Sequence, residues 1–203
     1  MPNDRDRKLV ERYAEELEYI LSDDGTHYSV TGTGICDTAE LELASECNQL
    51  PVTHIASRAF ANCRTLTSIV IPNGVVSIKE SAFSGCFALK SITLPSSVEA
   101  IEEGAFAGCR SLKSVRILGG VQKIGDSAFD GCSALTRITL SDSVKSIGNG
   151  AFDGCRRLNK ICFQGTKAEW RAIEKEPDWN NWTGKYTVHC IDGKLDKEGN
   201  EIA

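Results

Sequence analysis

The sequence has few of the residues that carry most enzyme chemistry. It has three histidines in 203 residues, His27, His54 and His189, and none has a sequence partner suggesting a metal site. His189 adjoins Cys190, but neighbours on a strand point to opposite faces, so the two do not form a Cys-His nucleophile pair. None of the nine cysteines falls in the C-x-x-C spacing of zinc or redox sites. Gly32-Thr33-Gly34 is not continued into either phosphate-binding fingerprint. The reading is therefore no enzyme, no metal and no cofactor. No run approaches 18 apolar residues, which excludes a membrane-spanning helix. The first 22 residues carry charge throughout, so no apolar leader segment follows Met1. The chain as it stands reads as cytoplasmic, or as cell-surface or secreted if a leader has been removed.

What the sequence does have is an internal repeat. Phe60, Phe83, Phe106, Phe129 and Phe152 are spaced 23 residues apart each time. The same step relates Ile55 to Ile147, Cys63 to Cys155 and Leu66 to Leu158, each through five copies. The shared pattern is V-x-x-I-x-x-x-A-F-x-x-C-x-x-L-x-x-I-x-(I/L/F), and no insertion breaks it. A fixed period of this length is the signature of stacked supersecondary units.

One unit of 23 residues is too short to close a core, whereas stacked copies bury a continuous one. The L-x-x-I-x-I segment reads as a short strand with Leu66, Ile69 and Ile71 directed inward. Successive strands would form a parallel ladder about 4.8 Å apart. Pro72 and Pro95 would stop the first two. The I-x-x-x-A-F stretch reads as a short helical turn on the opposite side. Asn62, Gly85, Gly108, Gly131 and Gly154 precede the repeat cysteines, where a left-handed residue would end that turn.

The pattern I-x-x-x-A-F-x-G-C-x-x-L-x-x-I-x-L-P resembles the BspA-like leucine-rich repeats of bacterial surface antigens. The likeness is close over residues 52–163 and looser over Tyr28–Pro51, which looks like a divergent first coil. Gly165 to Trp170, followed by Cys190-Ile191-Asp192-Gly193, looks like the usual C-terminal cap of that family. The resemblance implies an α/β right-handed solenoid with a parallel sheet on one face and caps at both ends. It also implies adhesion or protein binding. The chain then divides into an N-terminal segment (1–24), a first coil (25–51), five repeats (52–163) and a C-terminal cap (164–203).

Residues 5–21 read as an amphipathic helix, with Val10, Tyr13, Leu17 and Ile20 on one face. It would pack near the first coil, with a short coiled-coil seam as the alternative. Trp170, Trp179 and Trp182 read as a seal over the last coil, with a sugar-binding aromatic platform as the alternative. Asp192-Gly193 signals a hairpin. The five repeat cysteines read as a buried ladder of small apolar thiols. Cys36 with Cys47, and Cys162 with Cys190, are the two pairs that export could oxidise.

Charge is segregated. Residues 1–24 carry 4 basic and 8 acidic side chains, and residues 25–51 carry none and 4. The repeats carry 13 and 8, and residues 164–203 carry 6 and 8. The 40 repeat positions from just after each cysteine through the strand hold nine Lys or Arg and no acid. Lys90, Lys113, Arg116, Arg137 and Lys160 fall between inward apolar residues, so they are the candidate binding residues. Such a face suits an acidic protein or glycan. Nucleic acid is disfavoured by the net charge of −5 and the lack of strand aromatics. The alternative is a spacer solenoid whose cations only keep the sheet hydrated.

Overall fold

The computed structural model describes residues 17–33 and 38–203, which wind into a solenoid. Each coil contributes a strand to a long-strand face and a two-residue strand to a second sheet. On the long-strand face, Ser91–Leu94, Ser114–Ile117, Arg137–Leu140, Lys160–Phe163 and Thr187–Cys190 pair in parallel. The register advances by one repeat per strand, as in Val115 opposite Ile92 and Ile138. Glu40–Glu42 and Ser68–Val70 form a further parallel pair at the start of this face. The strands Ser68–Val70 and Ser91–Leu94 end before Pro72 and Pro95, as the missing amide of proline requires.

The second sheet is a feature that the periodicity does not announce. It runs from Leu50–Ile55 through Ser77–Ile78, Ala100–Ile101, Lys123–Ile124 and Ser146–Ile147 to Glu174–Lys175, all in parallel. Two-residue strands are too short to show alternation in a sequence.

The A-F stretch is a run of turns rather than a regular helix. Its amides alternate in direction. Arg58, Phe60 and Asn62 donate to Glu80, Ala82 and Ser84 of the next coil, at 2.9, 2.8 and 2.7 Å. Ala59, Ala61 and Cys63 donate back to Ala56, Arg58 and Phe60 of their own coil. Two left-handed residues per coil turn the amides this way. One is the expected position, from Asn62 to Gly154. The other, at Arg58, Ser81, Gly104, Ser127 and Gly150, was not anticipated. All three sides of the coil are thereby bonded to the next.

The core is a set of columns. Phe60, Phe83, Phe106, Phe129 and Phe152 are fully buried and stack with ring centroids 5.1 to 5.3 Å apart. Trp179 ends the column edge-on to Phe152, at 6.0 Å and 86°. Trp170 meets both Trp179 and Phe163 edge-on, and both indoles are buried. These two seal the last coil, as expected. Trp182 does not: it is 79% exposed. A six-residue helix, Lys167–Ala172, carries Trp170 inward and starts with a Thr166–Glu169 capping box. The hairpin expected near Asp192-Gly193 is present, Thr187–Cys190 pairing antiparallel with Gly193–Leu195.

The N-terminal reading needs correction. Leu17–Leu21 is a strand, antiparallel to Tyr28–Thr33, and not the end of a helix. Leu17 is buried and Tyr19 half-buried, while Ile20 is 59% exposed, so the true period is two. The hairpin turn between them is fixed by Asp24, which accepts from the Ser22 and Thr26 hydroxyls and the Thr26 amide. Those bonds hold the Asp24 carboxyl down at about 2. The hairpin lengthens the second sheet past the first coil. Val10 and Tyr13, the other half of the proposed helix face, lie outside the described residues.

The cysteines also divide differently. Cys86, Cys109, Cys132 and Cys155 are free and fully buried. Cys63 occupies the same column but is disulfide-bonded. Cys47 is free, so it does not pair with Cys36, which lies outside the described residues. Cys162 and Cys190 are both free. Cys162 pairs in register with His189 on the outer face, whereas Cys190, one residue on, packs against the core. Opposite faces of one sheet cannot be bridged.

Candidate binding surface

Three of the five candidate cations, Arg116, Arg137 and Lys160, face outward from adjacent strands, and Lys90 and Lys113 lie exposed just before theirs. Ile92, Val115, Ile138 and Ile161 point inward and are buried, which turns their neighbours outward. Arg116 lies in the Ser114–Ile117 strand, opposite Thr93 and Thr139. Arg137 and Lys160 open their strands and stand directly opposite each other in register. Lys90 and Lys113 sit one residue before their strands on successive coils, the Lys113 amide donating to the Lys90 carbonyl at 2.8 Å. Lys90, Lys113, Arg116 and Arg137 are exposed and Lys160 is half-buried. None of the five forms an ion pair among the described residues.

Two further residues join this surface from the C-terminal cap. His189 pairs with Cys162 on one side and with Lys194 on the other. Its imidazole is held below the usual histidine range by partial burial, then by Lys160, Lys194 and Arg137. Burial is the larger cause and the three cations add to it. Counting charges within the repeats could not find these residues, because they enter only through cap strands that extend the sheet.

The face is not uniformly basic. Its first strand presents Glu40 and Glu42 outward on either side of buried Leu41. The middle is weakly polar, with Val70 55% exposed and Leu118 44% exposed. Positive charge concentrates toward the C-terminal half. The acids at the N-terminal end come from the divergent coil, which the repeat pattern does not cover.

Direct register at about 4.8 Å keeps Arg137 and Lys160 well inside one Debye length, about 8 Å at physiological salt, and Arg116 lies two residues farther along the neighbouring strand. Unneutralised, such cations repel one another. A surface of this kind gains most from a ligand that brings negative charge.

A histidine contact was also missed. The His27 and His54 rings lie 4.9 Å apart, tilted by 34°, beside the second sheet. Burial and the His27 and Lys79 charges push the His54 imidazole down.

Residues 53–172 match the family described as BspA type leucine rich repeat region, in six copies. The chain is a BspA-type leucine-rich repeat protein. Among solved structures, this BspA-type repeat protein is similar to the T. pallidum leucine rich repeat protein TpLRR. The two are 33% identical with a TM-score of 0.70, over 73% of this chain and 69% of that one. It is also similar to a leucine rich cell surface protein from Faecalibacterium prausnitzii A2-165, 34% identical with a TM-score of 0.68. That match covers 78% of this chain and only 40% of the other. The pneumococcal vaccine antigen PcpA shares the fold at 21% identity and a TM-score of 0.64. The BspA-type chain has no significant match among curated proteins.

Proposed function

We propose that this protein is a non-enzymatic binding module that captures an acidic macromolecule on the C-terminal half of its long-strand face. The observation that carries this reading is the direct register of Arg137 with Lys160, beside Arg116, with no ion-pair partner among the described residues. His189 and Lys194 of the cap lie on the same face, and Lys160, Lys194 and Arg137 add to burial in lowering the His189 imidazole. An acidic protein or an acidic glycan fits this surface. Nucleic acid fits less well, since the outward residues of the repeat strands between Ser91 and Phe163 include no Phe, Tyr or Trp to stack on a base. The similarity to a protein named as a cell surface protein supports a surface location for this chain as well.

The test is retention on immobilised polyglutamate across a salt gradient, followed by Lys113→Glu, Arg116→Glu and Arg137→Glu together. Wild type should be retained at low salt and released as salt rises. The triple variant should pass through with an unchanged circular dichroism spectrum. Retention that survives the reversal would move the site elsewhere. No retention of wild type would leave the protein as a spacer solenoid.

A further inference from the structure

We propose that a groove beside Trp182, distinct from the basic sheet face, is a glycan-binding subsite. The groove is open, about 500 Å³, and is walled by Arg110, Asp130, Ser133, Asp153, Arg156 and Trp182. That volume lies within the range of small-ligand sites, roughly 300–1,000 Å³. Gly131 and Gly154 line it without side chains and leave the space between the walls free.

Trp182 is the first argument. Of the three tryptophans, two are buried in the cap and this one is 79% exposed. It is nevertheless held in place. The carbonyl of Asn181, before it, accepts from the Gly154 amide at 3.1 Å. The amide of Gly184, after it, donates to the Cys155 carbonyl at 3.1 Å. A Cβ on Gly184 would collide with the Leu158 carbonyl oxygen, so glycine lets the loop lie directly on the coil. Trp182 itself has φ +53°, a conformation unfavourable for a bulky residue. Trp182 takes the left-handed position held by Gly131 and Gly154 in the coils before it, so the cap continues the repeat's backbone with an indole in water.

The second argument is a pair of carboxylates. Asp130 and Asp153 occupy one repeat position on consecutive coils, where the earlier coils have Ala61, Ser84 and Ala107. Neither forms an ion pair among the described residues. Burial, and then the charge of Asp153, push the Asp130 carboxyl up. Both carboxylates can accept charge-assisted hydrogen bonds from hydroxyl groups. In the same lining, Arg156 and Arg110 supply donors, and Arg110 lies over the Phe87 ring at 5.3 Å.

An indole plane, a carboxylate pair and two guanidiniums around an open trough match a pyranose. Its C–H face would lie on Trp182, its hydroxyls would donate to Asp130 and Asp153, and its oxygens would accept from Arg156. A bare metal ion is opposed by the arginines. A peptide would need an open strand edge or an apolar anchor pocket, and this trough offers neither.

The experiment is titration of the intact protein with chitohexaose, cellohexaose and maltohexaose, each read by indole fluorescence and by saturation-transfer NMR. At least one should give a saturable change with Kd between about 10 μM and 1 mM. Trp182→Ala should weaken that binding by at least about 10-fold. Asp130→Asn with Asp153→Asn should also weaken it while leaving the circular dichroism unchanged. Saturable binding that both variants retain would overturn the proposal, as would no saturable change with any of the three sugars up to about 10 mM. A fluorescence shift that follows protein concentration without sugar would overturn it in favour of self-association. Polyglutamate retention should be intact in the Trp182 variant, which separates failure here from failure of the sheet-face reading.

Discussion

The Cys109 thiol donates to the carbonyl oxygen of Phe83, 3.2 Å away in the preceding coil. The same bond joins Cys86 to Phe60, Cys132 to Phe106 and Cys155 to Phe129, at 3.1 to 3.3 Å. Each of these carbonyls also accepts the amide three residues on, so the thiol takes the remaining lone pair. The position therefore selects a small apolar side chain that still has a donor, which is cysteine.

Thiol reactivity tests this arrangement. Burial pushes the Cys155 thiol up to about 12, and the Cys109 and Cys132 thiols raise those of Cys86 and Cys109 respectively. Cys132 is equally buried. All four should react with Ellman's reagent at least about 100-fold more slowly in the native state than after unfolding. The half-buried Cys47, Cys162 and Cys190 should react before them. Rapid native labelling of the four would mean that the coils open readily.

The phenylalanine column makes a stronger claim on stability. Phe106 is fully buried and stacked on both faces, 5.1 Å from Phe83 and 5.3 Å from Phe129. Phe106→Ala should cost about 3–5 kcal/mol in equilibrium urea unfolding. A loss under about 1 kcal/mol would show that the neighbouring coils close the gap.

Backbone strain gives a prediction of opposite sign. Ser127 has φ +52° at a position where two of the five coils have glycine. A left-handed serine costs about 1–2 kcal/mol, and the extra chain entropy of glycine returns part of that. Ser127→Gly should therefore stabilise by about 0.5–1 kcal/mol, read from the urea midpoint at unchanged slope. Destabilisation would mean that the Ser127 hydroxyl makes a contact worth more than the strain.

How much of this was legible follows from what repeats. Columns such as Phe60 to Phe152 could be read directly, because five copies report one environment five times. Ser127 shows the limit: its left-handed position holds Arg, Ser, Gly, Ser and Gly, a mixture with no common chemistry. Leu17 and Ile20 fit a helical spacing by coincidence over a few residues, and pairing with Tyr28–Thr33 decided otherwise. Strand alternation alone turns Arg116, Arg137 and Lys160 outward, whereas Lys90 and Lys113 lie just outside the strands where alternation applies. His189, Lys194 and the Trp182 groove depend on how the cap folds onto the last coil, and no period encodes that.

The field on the sheet face can be measured through His189. Folding lowers its pKa, so between that lower value and about 6.5 the unfolded chain binds more protons. Stability should therefore fall as pH falls through that window. Arg137→Gln with Lys160→Gln removes two of the cations responsible, leaving burial as the main cause. The His189 pKa should then rise in an NMR titration, and the acid-side loss of stability should shrink. An unchanged titration would show that the cations do not reach the ring.

The C-terminal cap presents to the last coil what another coil would have presented. Gly150, Phe152 and Gly154 donate to Asp178, Trp179 and Asn181, in place of the carbonyls a further repeat would supply. The Trp179 ring stands where the next phenylalanine would have stacked. A gene with this layout can gain or lose a 23-residue segment by unequal recombination and still end on the same terminator. Each event would move the Trp182 groove one coil spacing farther from Glu40 and Glu42, or nearer to them. Copy number thus becomes a heritable ruler for the distance between the two ends of the molecule.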